Sequence, residues 1–269
     1  MATANGSAAA GARAGGPLST YLRETSSPLG AAALTLPLLT FHGLGAILAP
    51  EVRNGADLVS IALAAAFSLA DLHGALPWAV FYAAIALCQA AIVGWLASRG
   101  RLSTRWLLPF LLECSAYALA CALLASMATR QVLETLSAGL AVAPVAGIPL
   151  ASAAAAVRSD VGLVDAVLIS FGAGFHEELV FRLGLLSGLG ARLVGPDWRS
   201  RPLPLLGLLA FSSVVFSAAH HIVEPFSFTP FVFRCAMGAL FGGLFLVRGF
   251  AAAAWTHALY DIWILVLRG

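Results

Sequence analysis

The chain is a succession of apolar runs, each long enough to cross a lipid bilayer, separated by short polar or glycine-rich breaks. A crossing helix needs roughly 20 mostly apolar residues, because the hydrocarbon layer is about 30 Å thick and a helix rises about 1.5 Å per residue. Seven runs meet that requirement: 29–49, 78–97, 106–127, 161–189, 203–223, 231–247 and 251–267. Two more stretches admit two readings each. Residues 58–76 hold Asp71 and His73 and form a span or an interfacial helix. Residues 138–157 hold Pro144, Gly147 and Pro149 and form a kinked span or a re-entrant hairpin. In lipid the backbone must satisfy its own hydrogen bonds, so the spans are helices. The expected architecture is all-α, a polytopic transmembrane helix bundle of about eight spans, within a range of seven to nine. Only 10% of the residues are charged, against about a quarter in soluble domains.

Net charge is +2 and gives no case for nucleic acid as a partner. All fifteen basic residues are arginine, which with the abundant Ala, Gly and Leu fits a GC-rich bacterial source. Arg99, Arg101 and Arg105 share one short loop, and Arg192, Arg199 and Arg201 share another. The positive-inside tendency places both loops in the cytoplasm. An even number of crossings must then separate them, so 106–127 and 161–189 cross and 138–157 does not. Residues 1–28, rich in Gly, Ala and Ser, lack a signal-peptide core and are expected to form a flexible tail, with a short interfacial helix over 18–23. The remainder divides into N-terminal transmembrane helices (29–157) and a C-terminal transmembrane core (158–269), together one membrane domain. Cys88, Cys114, Cys121 and Cys235 are scattered without CxxC spacing and read as small buried hydrophobes. Gly184 with Gly188, and Gly238 with Gly242, are pairs four apart that predict close helix packing.

The polar residues inside these runs are the informative ones, since a charge at a helix centre costs about 2.5–3.5 kcal/mol on insertion scales. They are Glu113, Glu177, Glu178, Arg182, His220, His221, His257, Asp261 and Arg234. Glu178 and Arg182 are four apart and share a helix face, so each offsets the other's burial. Glu177 points about 100° away and is not served in full by that arginine. Phe216 and His220 share a face, with Glu224 one turn beyond as a partner for His220. His257 and Asp261 share another. Each cluster alone is compatible with a plain helix-packing contact. Three such clusters on three late spans are hidden from lipid most cheaply by facing one interior site, where Glu, His and Asp can activate water and stabilise an oxyanion. Glu113 faces the same cavity or pairs with an arginine. His176 and His221 read as packing residues, and Asp71 and His73 as interfacial.

Several chemistries are excluded. A zincin helix needs a second histidine where Val180 stands. There is no GxSx nucleophile of the rhomboid type. Tyr260-Asp261 supplies the YD half of a presenilin-like pair, but no GxGD follows.

The ordered set Glu177-Glu178-Leu-Val-Phe-Arg182, Phe216-Ser-Ala-Ala-His220 and His257-Ala-Leu-Tyr-Asp261 resembles the EExxxR, FxxxH and HxxxN/D motifs of the CPBP intramembrane proteases, the group that includes the CAAX prenyl endopeptidases. The resemblance covers roughly the C-terminal 110 residues. It implies an intramembrane endopeptidase in which Glu177 activates water with help from His220. His257 and Asp261 would stabilise or orient the oxyanion, Glu178 and Arg182 would form a structural ion pair, and Phe216 would pack the site. The last motif position is often asparagine, and an aspartate there donates to an oxyanion only when protonated or hydrogen-bonded through His257. No cofactor is expected. The alternative is a divalent metal such as zinc on Glu177, His220 and His257. The implied partners are a membrane-anchored protein or peptide substrate and the lipid bilayer. The implied setting is a bacterial inner membrane, with removal of C-terminal sorting or anchor segments as one activity. Rival readings are a proton-coupled transporter or channel and a non-catalytic scaffold or immunity protein. Confinement of all three clusters to one half of the chain argues against a transporter built from two matching halves.

Overall fold

The computed structural model describes residues 16–48, 58–99, 104–140, 162–222 and 224–266. Among the described residues the regular structure is entirely helical, in the order α1 (Pro17–Ser26), α2 (Pro28–Leu48), α3 (Leu58–Leu69), α4 (Ala75–Ser98), α5 (Leu107–Leu140), α6 (Leu163–Glu178), α7 (Pro202–His220), α8 (Phe228–Arg248) and α9 (Phe250–Val266). Beyond Glu178, α6 continues as π-helix through Leu179–Gly188 and Gly190–Val194. Prolines open α1 and α7, where their missing N–H has no intrahelical partner to lose. Gly249, at φ +88°, adopts a left-handed turn that side-chain-bearing residues avoid, and it separates α8 from α9.

Five of these helices are long and apolar enough to cross a membrane: 28–45, 75–98, 107–139, 202–220 and 228–248. The expected eight included two that fall short as α-helices, α6 with 16 residues and α9 with 17. Both nonetheless run through the bundle, α6 because its π-helical continuation extends it. The ambiguous stretch 58–76 resolves into α3, whose 12 residues reach only about 18 Å, followed by a turn in which exposed His73 and Asp71 pair at 2.9 Å. The expectation for 138–157 lies, beyond Leu140, outside the described residues.

α9 forms the axis of the bundle and packs against α2, α5, α6 and α8. Its small residues permit this: Ala251, Ala252, Ala253, Ala254 and Ala258 are all buried. α6 meets α9 at Gly174, where an added Cβ would sit 2.5 Å from the Ala254 carbonyl oxygen and 2.7 Å from the Ala258 Cβ. The glycine expectation holds for one pair only. Gly238 and Gly242 seat α8 against Ser213, Phe216 and Leu209 of α7. Gly184 and Gly188 are exposed, and a Cβ there would meet nothing closer than carbonyls of their own segment, at 3.6 and 3.7 Å. The close approaches made by Gly172 against His42 and Gly190 against Trp198 carry no four-residue spacing.

One end of the bundle is tied by a polar network. Arg248, at the end of α8, grips Glu113 of α5 through Nε (2.6 Å) and Nη2 (2.9 Å). Tyr117 donates to the same carboxylate at 2.7 Å, and so does Tyr21 of α1. Arg248 also donates to Ser26 and Thr25. Glu24 accepts from Arg105 (2.9 Å) and from the Trp106 indole (2.6 Å). The expected tail is thus corrected over its second half: residues 17–26 are a docked helix, longer than the 18–23 foreseen, because its polar side chains complete hydrogen bonds for buried partners. Residues 1–15 lie outside the described residues. Arg105 and Arg248 both bond to α1 here, and Phe250 and Phe245 beside Arg248 pack on Trp198 and Val194. The two arginine-bearing loops therefore share one end of the molecule.

Candidate active site

Glu177 and Glu178 close α6, at the point where its hydrogen bonding loosens into the π-helix, with the Leu179 N–H shared between the Phe175 and His176 carbonyls. Such transitions recur at functional sites. Arg182, inside the π segment, donates Nε to Glu178 Oε2 at 2.9 Å, with both side chains fully buried. Its Nη1 donates to Ser212 Oγ at 3.1 Å, and Ser212 donates to the Phe181 carbonyl at 2.9 Å. Ser212 was not foreseen. The signal was present: Ser212, Phe216 and His220 continue one four-residue spacing along α7.

Glu178 has a second partner. His257 Nδ1 lies 3.0 Å from Glu178 Oε1, so this carboxylate bridges the arginine and the imidazole. The other ring nitrogen, Nε2, then faces Glu177 Oε2 at 3.9 Å and Asp261 Oδ2 at 3.6 Å. At 3.6 Å, Asp261 makes no hydrogen bond to His257. Of the two conditions under which Asp261 could donate, the hydrogen bond through His257 is not made in this arrangement, and Glu178 instead orients the ring through Nδ1. His220 places Nδ1 3.0 Å from the Phe216 carbonyl and Nε2 3.8 Å from Glu177 Oε2. Phe216 is the common wall, its ring centroid 5.2 Å from His220, 5.8 Å from His257 and 5.4 Å from the Arg182 guanidinium carbon. Phe241 of α8 stacks on His257 at 4.7 Å and 23°. This partner was missed, since one more phenylalanine in an apolar run carries no signal.

Exposure rises in one direction across the cluster. Glu178 and Arg182 are 0% exposed and Glu177 is 2%. His220 reaches 15% and Asp261 29%. The site is thus approached past Asp261 and the turn that follows α7. In that turn Glu224 pairs with Arg234 Nη2 at 2.8 Å. The predicted His220–Glu224 pairing is corrected: α7 ends at His220, so the helical spacing no longer applies one turn later. His176 points away from Glu177 and packs edge-on to His42 at 4.8 Å. His221 packs against Phe226 and Phe231. Glu113 belongs to the network at the opposite end of the bundle.

The trio Glu177, His220 and His257 was also weighed as a metal set. Zinc bonds of about 2.1 Å at tetrahedral angles hold donors about 3.4 Å apart. Here Glu177 Oε2 stands 3.8 and 3.9 Å from the two histidine nitrogens. Among the described residues, no group of three or more His, Cys, Asp and Glu is arranged to hold a metal ion.

Residues 159–263 match a family model described as Rce1-like, type II CAAX prenyl endopeptidase. No curated protein and no solved structure matches the chain. The matched stretch contains all seven motif residues, which three separate helical segments bring to one place. Its apolar helices make the chain an integral membrane protein. Over residues 159–263, about two fifths of its length, the chain is similar to the Rce1-like, CPBP-type family.

Proposed function

We propose that this protein is an intramembrane endopeptidase that hydrolyses a peptide bond of a membrane-associated protein or peptide, with water activated by Glu177. The reading rests on the approach of Glu177 Oε2 to the Nε2 atoms of His220 and His257, 3.8 and 3.9 Å away, each on a different helix. These separations exceed a direct hydrogen bond, so the three groups face one another without being bonded together.

The roles follow from which nitrogen of each ring is already engaged. His220 donates Nδ1–H to the Phe216 carbonyl, leaving Nε2 to accept from the attacking water. Glu177 takes the proton as the water adds to the carbonyl carbon, and returns it to the departing amine. His257 donates Nδ1–H to Glu178 and, when doubly protonated, offers Nε2–H to the oxygen on which charge develops. Glu178 orients this imidazole while pairing with Arg182, and Phe216 fixes the spacing of both rings. Asp261 cannot donate while ionised. The reaction is read as metal-free because Glu177 is needed as the base.

The matched family is named for prenylated CAAX substrates. For this chain we infer the broader class, membrane-anchored proteins cut near their C-terminal sorting or anchor segments, in a bacterial inner membrane. The test uses the purified full chain in lipid nanodiscs with a mixture of proteome-derived peptides, reading new termini by mass spectrometry. Cleavage is expected to persist under strong chelation and to vanish in Glu177→Gln, His220→Ala and His257→Ala while the variants still accumulate. Processing that survives Glu177→Gln overturns the mechanism.

A further inference from the structure

Peptide hydrolysis builds a negative charge on the carbonyl oxygen, and this site is crowded with carboxylates. Glu177, Glu178 and Asp261 lie within 3.9 Å of the His257 ring nitrogens. Arg182 gives Nε to Glu178 and Nη1 to Ser212, and the Phe216 ring lies against it; its Nη2 has no acceptor among the described residues, but the whole side chain is sealed behind Glu178. A second cation stands on the open side. Arg234, Gly238 and Phe241 are spaced four and three apart and share one face of α8. Gly238 packs on Phe216, and Phe241 stacks on His257. Arg234 therefore sits one turn beyond these contacts, toward the mouth, and its ion-pair partner Glu224 is bonded through its backbone to His220.

The Arg234 guanidinium is positioned but not saturated. Its side chain is 11% exposed, and Nη2 donates to Glu224 Oε2 at 2.8 Å. Glu224 is itself anchored by its backbone N–H, which donates to the His220 carbonyl at 3.2 Å. The other arm, Nη1, is buried with no acceptor among the described residues. A buried guanidinium N–H is costly to leave without an acceptor, and the strongest acceptor this reaction offers is the oxyanion.

We propose that Arg234 is a further catalytic residue, whose Nη1–H donates to the oxyanion opposite His257. This rests on the endopeptidase reading. As water adds and Glu177 takes its proton, the carbonyl π pair moves onto oxygen and is held by Arg234 Nη1–H and His257 Nε2–H. Collapse restores the carbonyl, breaks the C–N bond and draws the proton from Glu177 to the amine. Arg234 gives up no proton at any stage.

The test uses the full chain in nanodiscs with the same peptide mixture, followed by kinetics on the fastest-cut peptide after resynthesis. Arg234→Gln is expected to lower kcat by about 10²–10³-fold, the usual effect of removing one oxyanion donor, with KM within about twofold and Arg234→Lys between. Glu224→Gln breaks the same ion pair but keeps the guanidinium, and retains most of the activity. Equal losses in Arg234→Gln and Glu224→Gln, or a raised KM with unchanged kcat, overturn the proposal and leave the endopeptidase reading intact. A wild-type chain that cuts no more than Glu177→Gln overturns both.

Discussion

The bundle carries two buried ionic clusters, and they differ in how completely their members are joined. Around Glu113 and Arg248 the partners meet at hydrogen-bond distance: two arginine bonds, two tyrosine hydroxyls and two side chains of α1. Around Glu177 the nearest histidine nitrogens stand 3.8 and 3.9 Å off, although its neighbour Glu178 is bonded as tightly as Glu113. Both clusters incur the desolvation cost of charges in an apolar setting. The first recovers it within the protein and holds helices together. The second holds Glu177 near two histidine nitrogens on different helices without a direct bond to either, the arrangement on which the proposed chemistry rests. On the proposed reading, the closeness of the contacts, more than burial or charge, distinguishes the two clusters.

The comparison is broken most directly at Glu177. Glu177→Gln is expected to lower turnover at least about 10³-fold, toward the upper end for loss of a general base, while thermal unfolding in detergent stays within a few degrees of wild type. A large loss of stability would return Glu177 to the structural class. Arg182→Ala reverses the pattern. Removing one partner of a fully buried pair costs about 3–5 kcal/mol, so unfolding should shift strongly and activity fall with the folded fraction. At the opposite end, Arg248→Ala is expected to be destabilising by a smaller amount, about 2–3 kcal/mol, and to leave kcat per folded molecule unchanged. Hydrogen exchange should show α1 released first. A fall in kcat beyond the loss of folded protein would mean the two ends are coupled.

Two smaller effects sharpen the picture. Gly174→Ala inserts a methyl into the α6–α9 contact and is expected to cost about 1–3 kcal/mol, displacing Glu177 from His257 and lowering activity more than stability. The smallest effect concerns Glu24 in α1. A hydrogen bond from the Trp106 indole holds its carboxyl below the usual carboxylate range, aided by Arg105. A depressed folded pKa means that its contribution is present above the unfolded value and is lost as pH falls through the folded one. Exchange protection of α1 should therefore decline on acidification below the usual carboxylate range, and this decline should disappear in Glu24→Gln.

The sequence by itself determined the all-α membrane class, the approximate bounds of the long helices and most of the buried polar positions, while the motif resemblance named the seven site residues. It could do so because lipid permits few backbone solutions and penalises each stray charge, so hydropathy and polar exceptions are legible locally. The Glu178–Arg182 pair was equally legible, from a spacing within one helical segment. Tertiary structure decided the rest. Only the packing of α9 against α6 gave Glu178 to His257 as well as to Arg182, which turned the imidazole toward Glu177 and left Asp261 outside hydrogen-bond range. Only the end of α7 at His220 sent Glu224 to Arg234. Only three-dimensional contact distinguished Gly174, Gly238 and Gly242, where helices touch, from Gly184 and Gly188, where none does. These choices depend on which faces of distant helices meet and at what depth, and residue spacing along one segment carries no information about its neighbour.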